Sequence, residues 1–217
     1  ALLFTTSVVL IFIGRVKLSY LFRMIGIGIV FLAISLTILY FLPPDQQGRL
    51  GTWKNRITQF VDGKGGDSYQ VEQAKIAIAT GGTFGKMPGN STQRNFLPHP
   101  YSDFIFAIII EEYGVIGGIF VVLLYMILLF RAVKIVARST GTFGAFLSIG
   151  VAFNLVFQAM VNMGVAVNLL PVTGQPLPLV SMGGTSIWFT SISIGILLSV
   201  SKEIDKKEKE KIQSHNI

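Results

Sequence analysis

The amino-acid sequence predicts an all-α polytopic membrane protein with one large extracytoplasmic loop. Three observations carry that reading. The 217-residue chain is 51% hydrophobic and only 13% charged, with a mean hydropathy of +0.63, too apolar for an ordinary soluble domain. Its apolar residues gather into five segments, 1 to 14, 19 to 42, 103 to 130, 141 to 170 and 179 to 201. Its basic residues fall in alternate links between them. The chain has no cysteine, so disulfides and Cys-based metal sites are excluded and the redox compartment stays open. The net charge of +7 lies largely in loops and tail, where it reports topology and anionic headgroups rather than nucleic acid.

The first two segments make up residues 1–42. The chain opens directly on an apolar run without a basic leader or a small-residue cleavage site, which argues against a signal peptide. Segment one is shorter than the roughly 20 residues that span the hydrocarbon core. The expectation is therefore a truncated first helix and a missing N-terminal half. Arg15, Lys17 and Arg23 link segments one and two.

Residues 43–102 form the only long polar stretch. It begins with Pro43-Pro44, which ends a helix by removing backbone donors. Trp53 to Val61 carries Trp53, Ile57, Phe60 and Val61 at helical spacing opposite Lys54 and Arg56, as in an amphipathic helix at the interface. Tyr69 to Thr80 reads as a second helix, ended by Gly81-Gly82, with an irregular Gly/Asn/Ser/Pro stretch after it. Gly81 to Lys86 superficially suggests a phosphate loop, but it lacks the spacing and the strand-loop-helix setting, so a nucleotide site is rejected. Glycine amides with Lys86 and Arg94 remain able to meet a pyrophosphate.

Residues 103–201 hold the last three segments. The third and fourth exceed the roughly 20 residues required, so they tilt, kink or emerge from the bilayer. Asp103 opens segment three at the boundary between polar loop and apolar helix. Two compatible readings stand: Ser102 or Asp103 caps the helix, or Asp103 faces a substrate as a base. Glu111 and Glu112 lie roughly 12 Å deeper on a continuous helix, where a carboxylate must face protein or a wet cavity. The structural reading pairs them with a cation from the missing half; the other places them at a substrate cavity. No His or Cys has metal-ligand spacing nearby, so no dedicated metal site is assigned. Asn154, Gln158 and Asn162 share one helix face, for interhelical hydrogen bonding or for lining a cavity.

Between segments four and five, the Pro/Gly-rich stretch 171–186 is uncharged and full of helix breakers. Such backbone survives near membrane depth only where protein or water satisfies it, so it is a rim or re-entrant loop, or a simple turn. Arg131, Lys134 and Arg138 link segments three and four, and five lysines follow segment five in the tail, 202–217. This alternation predicts cytoplasmic basic links and C-terminus, with 43–102 outside.

The run YQVEQAKIAIATGGTFGKMPGNSTQRNFLPHPYSDFIFAIIIEEYGVIGG, followed by LLPVTGQPLPLVSMGGTS, resembles the SEDS family of bacterial cell-wall polymerases, FtsW, RodA and SpoVE. The GNSTQ and GQPLPLVSMGGTS forms are closer to the cell-division member than to the elongation member. The resemblance implies the C-terminal portion of a ten-helix bundle in the bacterial cytoplasmic membrane. It implies an inverting peptidoglycan glycosyltransferase that polymerises lipid II during septal synthesis beside a class B penicillin-binding protein and other divisome membrane proteins. A fragment alone would be inactive. The family's essential aspartate matches Asp103, as a general base or as a carboxylate orienting a divalent cation, Mg or Mn; no other cofactor is evident. Lys75, Lys86, Arg94, Ser102, Glu111, Ser181, Gly183 and Gly184 are the candidate substrate-binding residues. The sequence departs from the family where Leu97-Pro98-His99 replaces L-P-E and Met182 replaces the tyrosine of S-Y-G-G. A lipid II flippase, a non-catalytic division scaffold or a RodA-like elongation polymerase are the alternatives.

Overall fold

The computed structural model describes residues 2–41, 66–97, 100–139 and 141–215, and among them every regular element is helical. Pro43-Pro44, the Trp53–Val61 stretch and Pro98-His99 lie outside the described residues. The helices are α1 (Leu2–Ile13), α2 (Leu18–Phe41), α3 (Gly66–Gly81), α4 (Ile105–Arg138), α5 (Thr142–Ala166) and α6 (Gly184–His215). A single 3-10 turn, Gln93–Asn95, interrupts the loop between α3 and α4. Four of these helices, α2, α4, α5 and α6, contain spans long and apolar enough to cross a bilayer, while α1 is shorter.

The core forms where α4 packs against α5 and α3, with α1 and α6 against α5. Ala74 and Ala77 of α3 are fully buried. Small side chains there let the backbones of α3 and α4 approach closely. Phe104, Phe106, Ile110, Val156, Ala159 and Met163 belong to the same main cluster, joined by Val172 and Leu177 from the Pro/Gly-rich loop. In contrast, among its described side chains α2 buries only Leu21, and its Phe31, Ile27 and Leu32 stay exposed. Apolar faces of that extent mark surfaces for membrane or protein.

The excess length of α4 is resolved by a kink. Gly114 sits at φ 71°, ψ −175°, inside the helix, a region that is essentially glycine-only. A break leaves backbone groups without helical partners, which is costly where water is excluded. The α3–α4 loop supplies the partners. Lys86 N–H donates to Glu111 O at 2.9 Å and Met87 N–H to Glu112 O at 3.0 Å, while Val115 N–H donates to Gly82 O at 2.9 Å. The approach is so close that a Cβ on Gly81 would meet the backbone of Ile110 and Glu111, and one on Gly85 the backbone of Glu112.

Gly114→Ala should therefore lower stability by at least about 2 kcal/mol, since the strained conformation alone costs of order 1–3 kcal/mol and its Cβ also meets Thr83 O. Gly195→Ala, on an open stretch of α6, should be neutral or stabilising by up to about 1 kcal/mol. Thermal unfolding in detergent compares the two.

Candidate active site

Two sets of polar contacts meet around the start of α4. The deeper one is centred on Glu111, whose side chain is 0% exposed. Its carboxylate accepts from Lys86 Nζ at 2.7 Å, Ser91 Oγ at 2.5 Å, Thr92 Oγ1 at 2.8 Å, Thr92 N–H at 3.2 Å and Gln93 N–H at 3.3 Å. Lys86 Nζ also donates to Thr92 Oγ1 at 3.0 Å, and Ser91 Oγ accepts from Arg94 N–H at 3.1 Å. A buried charge is tolerated only when it is paired and hydrogen-bonded, and here both conditions hold. The consequence is local order: the stretch 86–94, which has little apolar content of its own, is folded around a carboxylate from another element.

This geometry corrects two expectations. The cation beside Glu111 comes from Lys86 of the same chain, not from a missing half. Lys86 is thereby engaged in holding the loop, rather than standing free as a pyrophosphate ligand, and Glu111 has no exposed atom to offer a substrate. Lys75 is exposed on α3 and Arg94 is half-exposed.

The second set fixes the backbone around Asp103. Asn162 Nδ2 donates to Asp103 O at 2.9 Å and to Gln175 O at 2.7 Å. Ser181 Oγ donates to Ser102 O at 2.6 Å and accepts from Leu177 N–H at 2.7 Å. Met182 N–H donates to Tyr101 O at 2.8 Å. Gln158 Nε2 donates to Pro176 O at 3.0 Å, and Tyr125 Oη donates to Pro178 O. The 171–186 stretch is thus laid against residues 101–103 and α5 through these bonds, with Leu179 at φ 67°. Asn154 stands apart from it, accepting from Thr6 Oγ1 of α1 at 3.4 Å.

Asp103 itself is half-buried. It does not cap α4: the residue at the helix start is Phe104, with no side-chain cap bond. Among the described residues its carboxylate has one hydrogen-bond partner, the Ser102 hydroxyl at 2.9 Å. Gly183 follows Met182 and Gly184 opens α6, so the helix starts two residues after the Met182 N–H that donates to Tyr101 O. A lightly engaged carboxylate on a rigid backbone, beside a helix N-terminus, suits proton transfer next to a bound anion.

Fold and site together define a multi-pass α-helical membrane protein with a polar site where loops meet the bundle. The family model described as cell cycle protein, FtsW/RodA/SpoVE, matches residues 1–206. The chain belongs to this family. It is 34% identical over 199 residues to stage V sporulation protein E of Bacillus subtilis (strain 168), covering 91% of this chain and 52% of that protein. To peptidoglycan glycosyltransferase MrdB of Escherichia coli (strain K12) it is 37% identical over 184 residues, 82% of this chain and 48% of that one. A probable peptidoglycan glycosyltransferase FtsW of Aliivibrio salmonicida is 34% identical over 208 residues, 93% and 49%. A solved chain from "Structural coordination of polymerization and crosslinking by a peptidoglycan synthase complex" shares the fold at TM-score 0.66 and 24% identity, covering 90% of this chain and 52% of that one. The chain spans about half the length of the curated relatives it matches.

Removing the central carboxylate should release the loop. Glu111→Ala is expected to deprotect the amides of Lys86, Met87, Thr92 and Gln93 in hydrogen exchange, with a loss of about 3 kcal/mol or more from a broken buried pair. Lys75→Ala, at an exposed position, should leave the exchange pattern unchanged.

Proposed function

We propose that the full-length protein carrying this chain is a peptidoglycan glycosyltransferase that polymerises lipid II, with Asp103 as the catalytic carboxylate. The observation that carries the reading is the contrast between Asp103's single hydroxyl partner among the described residues and the tightly held backbone around it. Relatives named peptidoglycan glycosyltransferase support the reaction class.

In the reaction, the acceptor sugar's 4-hydroxyl gives its proton to the Asp103 carboxylate as its oxygen attacks the anomeric carbon of the lipid-linked donor. The bond from that carbon to the pyrophosphate breaks, the pyrophosphate leaves with the electron pair, and the configuration inverts. Amides at the start of α6, with Arg94 and Lys75, are the groups assigned to the developing charge. In the alternative role, Asp103 would orient a divalent ion instead of taking the proton: one carboxylate with substrate phosphates suits Mg or Mn, and the ion would supply charge neutralisation. Ser102 orients the carboxylate through its hydroxyl, and Ser181 fixes Ser102 in turn.

The basic links and C-terminal tail are assigned to the cytoplasm and the α3–α4 loop to the outside. A class B penicillin-binding protein and other divisome membrane proteins are the proposed partners. The septal assignment rests on the Gly89-Asn90-Ser91-Thr92-Gln93 run and the Gly174–Ser186 stretch. An elongation role is the second reading, kept open because the chain is as similar to MrdB as to a relative named FtsW, 37% identical in each case; rescue of cells depleted of one or the other polymerase class separates them.

Asp103→Asn in the full-length protein with its partner should lower glycan-chain formation from purified lipid II by about 10²–10⁴-fold, the usual worth of general acid–base catalysis, while complex assembly persists. Polymerisation at the wild-type rate would favour a flippase or scaffold instead. Asn162→Leu leaves the carbonyls of Asp103 and Gln175 without their donor and should reduce turnover by about 10²-fold through misplacement of the carboxylate, read in the same assay.

A further inference from the structure

At the other end of α4 and α6 from Asp103, a cavity of about 530 Å³ opens between the two helices, within the range of about 300–1,000 Å³ typical of small-molecule sites. Its walls are apolar: Leu124, Ile127 and Leu128 from α4 face Leu197 and Leu198 from α6. Its rim is cationic. Arg131, Lys134 and Arg138 all line the cavity, and their spacing continues on α4 the stripe begun by Leu124 and Leu128. Asp205 is the acidic residue on the same lining. Among the described residues none of the three cations forms an ion pair.

An apolar slot that ends in three unpaired cations is complementary to an amphiphile with an anionic head. We propose that this cleft binds an anionic phospholipid, its phosphate at Arg131, Lys134 and Arg138 and an acyl chain along Leu124, Leu128 and Leu198. Basic pockets between transmembrane helices hold such headgroups because attraction in the interfacial region is weakly screened and the chain needs no water. A soluble anion would gain nothing from the walls, and a neutral lipid nothing from the rim. The proposal is independent of glycosyl transfer, since its readout is lipid retention.

The test uses the purified full-length protein, delipidated and then offered phosphatidylglycerol or phosphatidylcholine, with bound lipid counted by native mass spectrometry. Wild type should keep phosphatidylglycerol selectively, and the triple variant Arg131→Gln, Lys134→Gln, Arg138→Gln should retain it on the order of a hundredfold more weakly. Leu198→Trp, which fills the slot from a 65% exposed position, should lower retention with all three cations in place, and it decides the matter should the triple variant fail to fold. Equal retention of the two lipids, or unchanged retention in the variants, overturns the proposal. So does a photo-crosslink from position 198 that lands on another segment of the same protein or on a second copy rather than on lipid.

Discussion

The buried Glu111 carboxylate is the constraint from which the rest of the site follows. An ionised carboxylate has roughly four lone-pair directions, and here five donors converge on it from a nine-residue stretch, 86–94. Hydrogen bonds to a charged group contribute about 1.5–3 kcal/mol each in isolation, but burial of the charge offsets much of that gain. The pairing therefore specifies more than it stabilises: one loop conformation satisfies the carboxylate, and others leave it stranded. The kink at Gly114 belongs to the same device, because the backbone groups it frees are those that receive the loop's amides.

A second constraint acts on the far side of the helix start. The side-chain amides of Gln158 and Asn162 and the Ser181 hydroxyl bind main-chain carbonyls of the 101–103 and 175–178 stretches. Prolines at 171, 176 and 178 lack N–H groups, so the loop carries fewer donors to satisfy, and its carbonyls are met by side chains instead. Asp103 is thereby held through its backbone, while its carboxylate is left to the neighbouring hydroxyl. Positional rigidity and chemical availability come from different atoms of the same residue.

Much of the helical frame was legible in the sequence because bilayer thickness imposes it. The run 19 to 42 becomes Leu18–Phe41, and Tyr69 to Thr80 becomes the core of Gly66–Gly81. Helix α4 continues to Arg138 rather than residue 130, carrying Arg131, Lys134 and Arg138 beyond the apolar run. Helix α6 begins at Gly184 rather than 179, because the Leu177–Ser181 turn places Leu179 in the left-handed region. The i, i+4 spacing announced the Asn154, Gln158, Asn162 face, but the carbonyl partners of Gln158 and Asn162 have no sequence signature. The Lys86–Glu111 pair spans 25 positions, beyond what local periodicity registers. The GNSTQ run, whose Ser91, Thr92 and Gln93 all reach Glu111, and the Gly in Glu112-Tyr113-Gly114 were the signals available for it.

Asp103 and Glu111 lie eight residues apart in the sequence yet occupy opposite environments, and environment decides what a carboxylate can do. Glu111 is enclosed and saturated. To accept a proton it would have to give up bonds from Lys86 and the loop, dismantling the structure it organises. Asp103 gives up nothing comparable: its hydroxyl partner among the described residues can rotate, and the residue is only partly buried. The division of labour is thus physical before it is functional. The residue that orders the loop is disqualified from proton transfer by the same contacts that make it effective, and the residue kept free of them retains a carboxylate able to accept a proton.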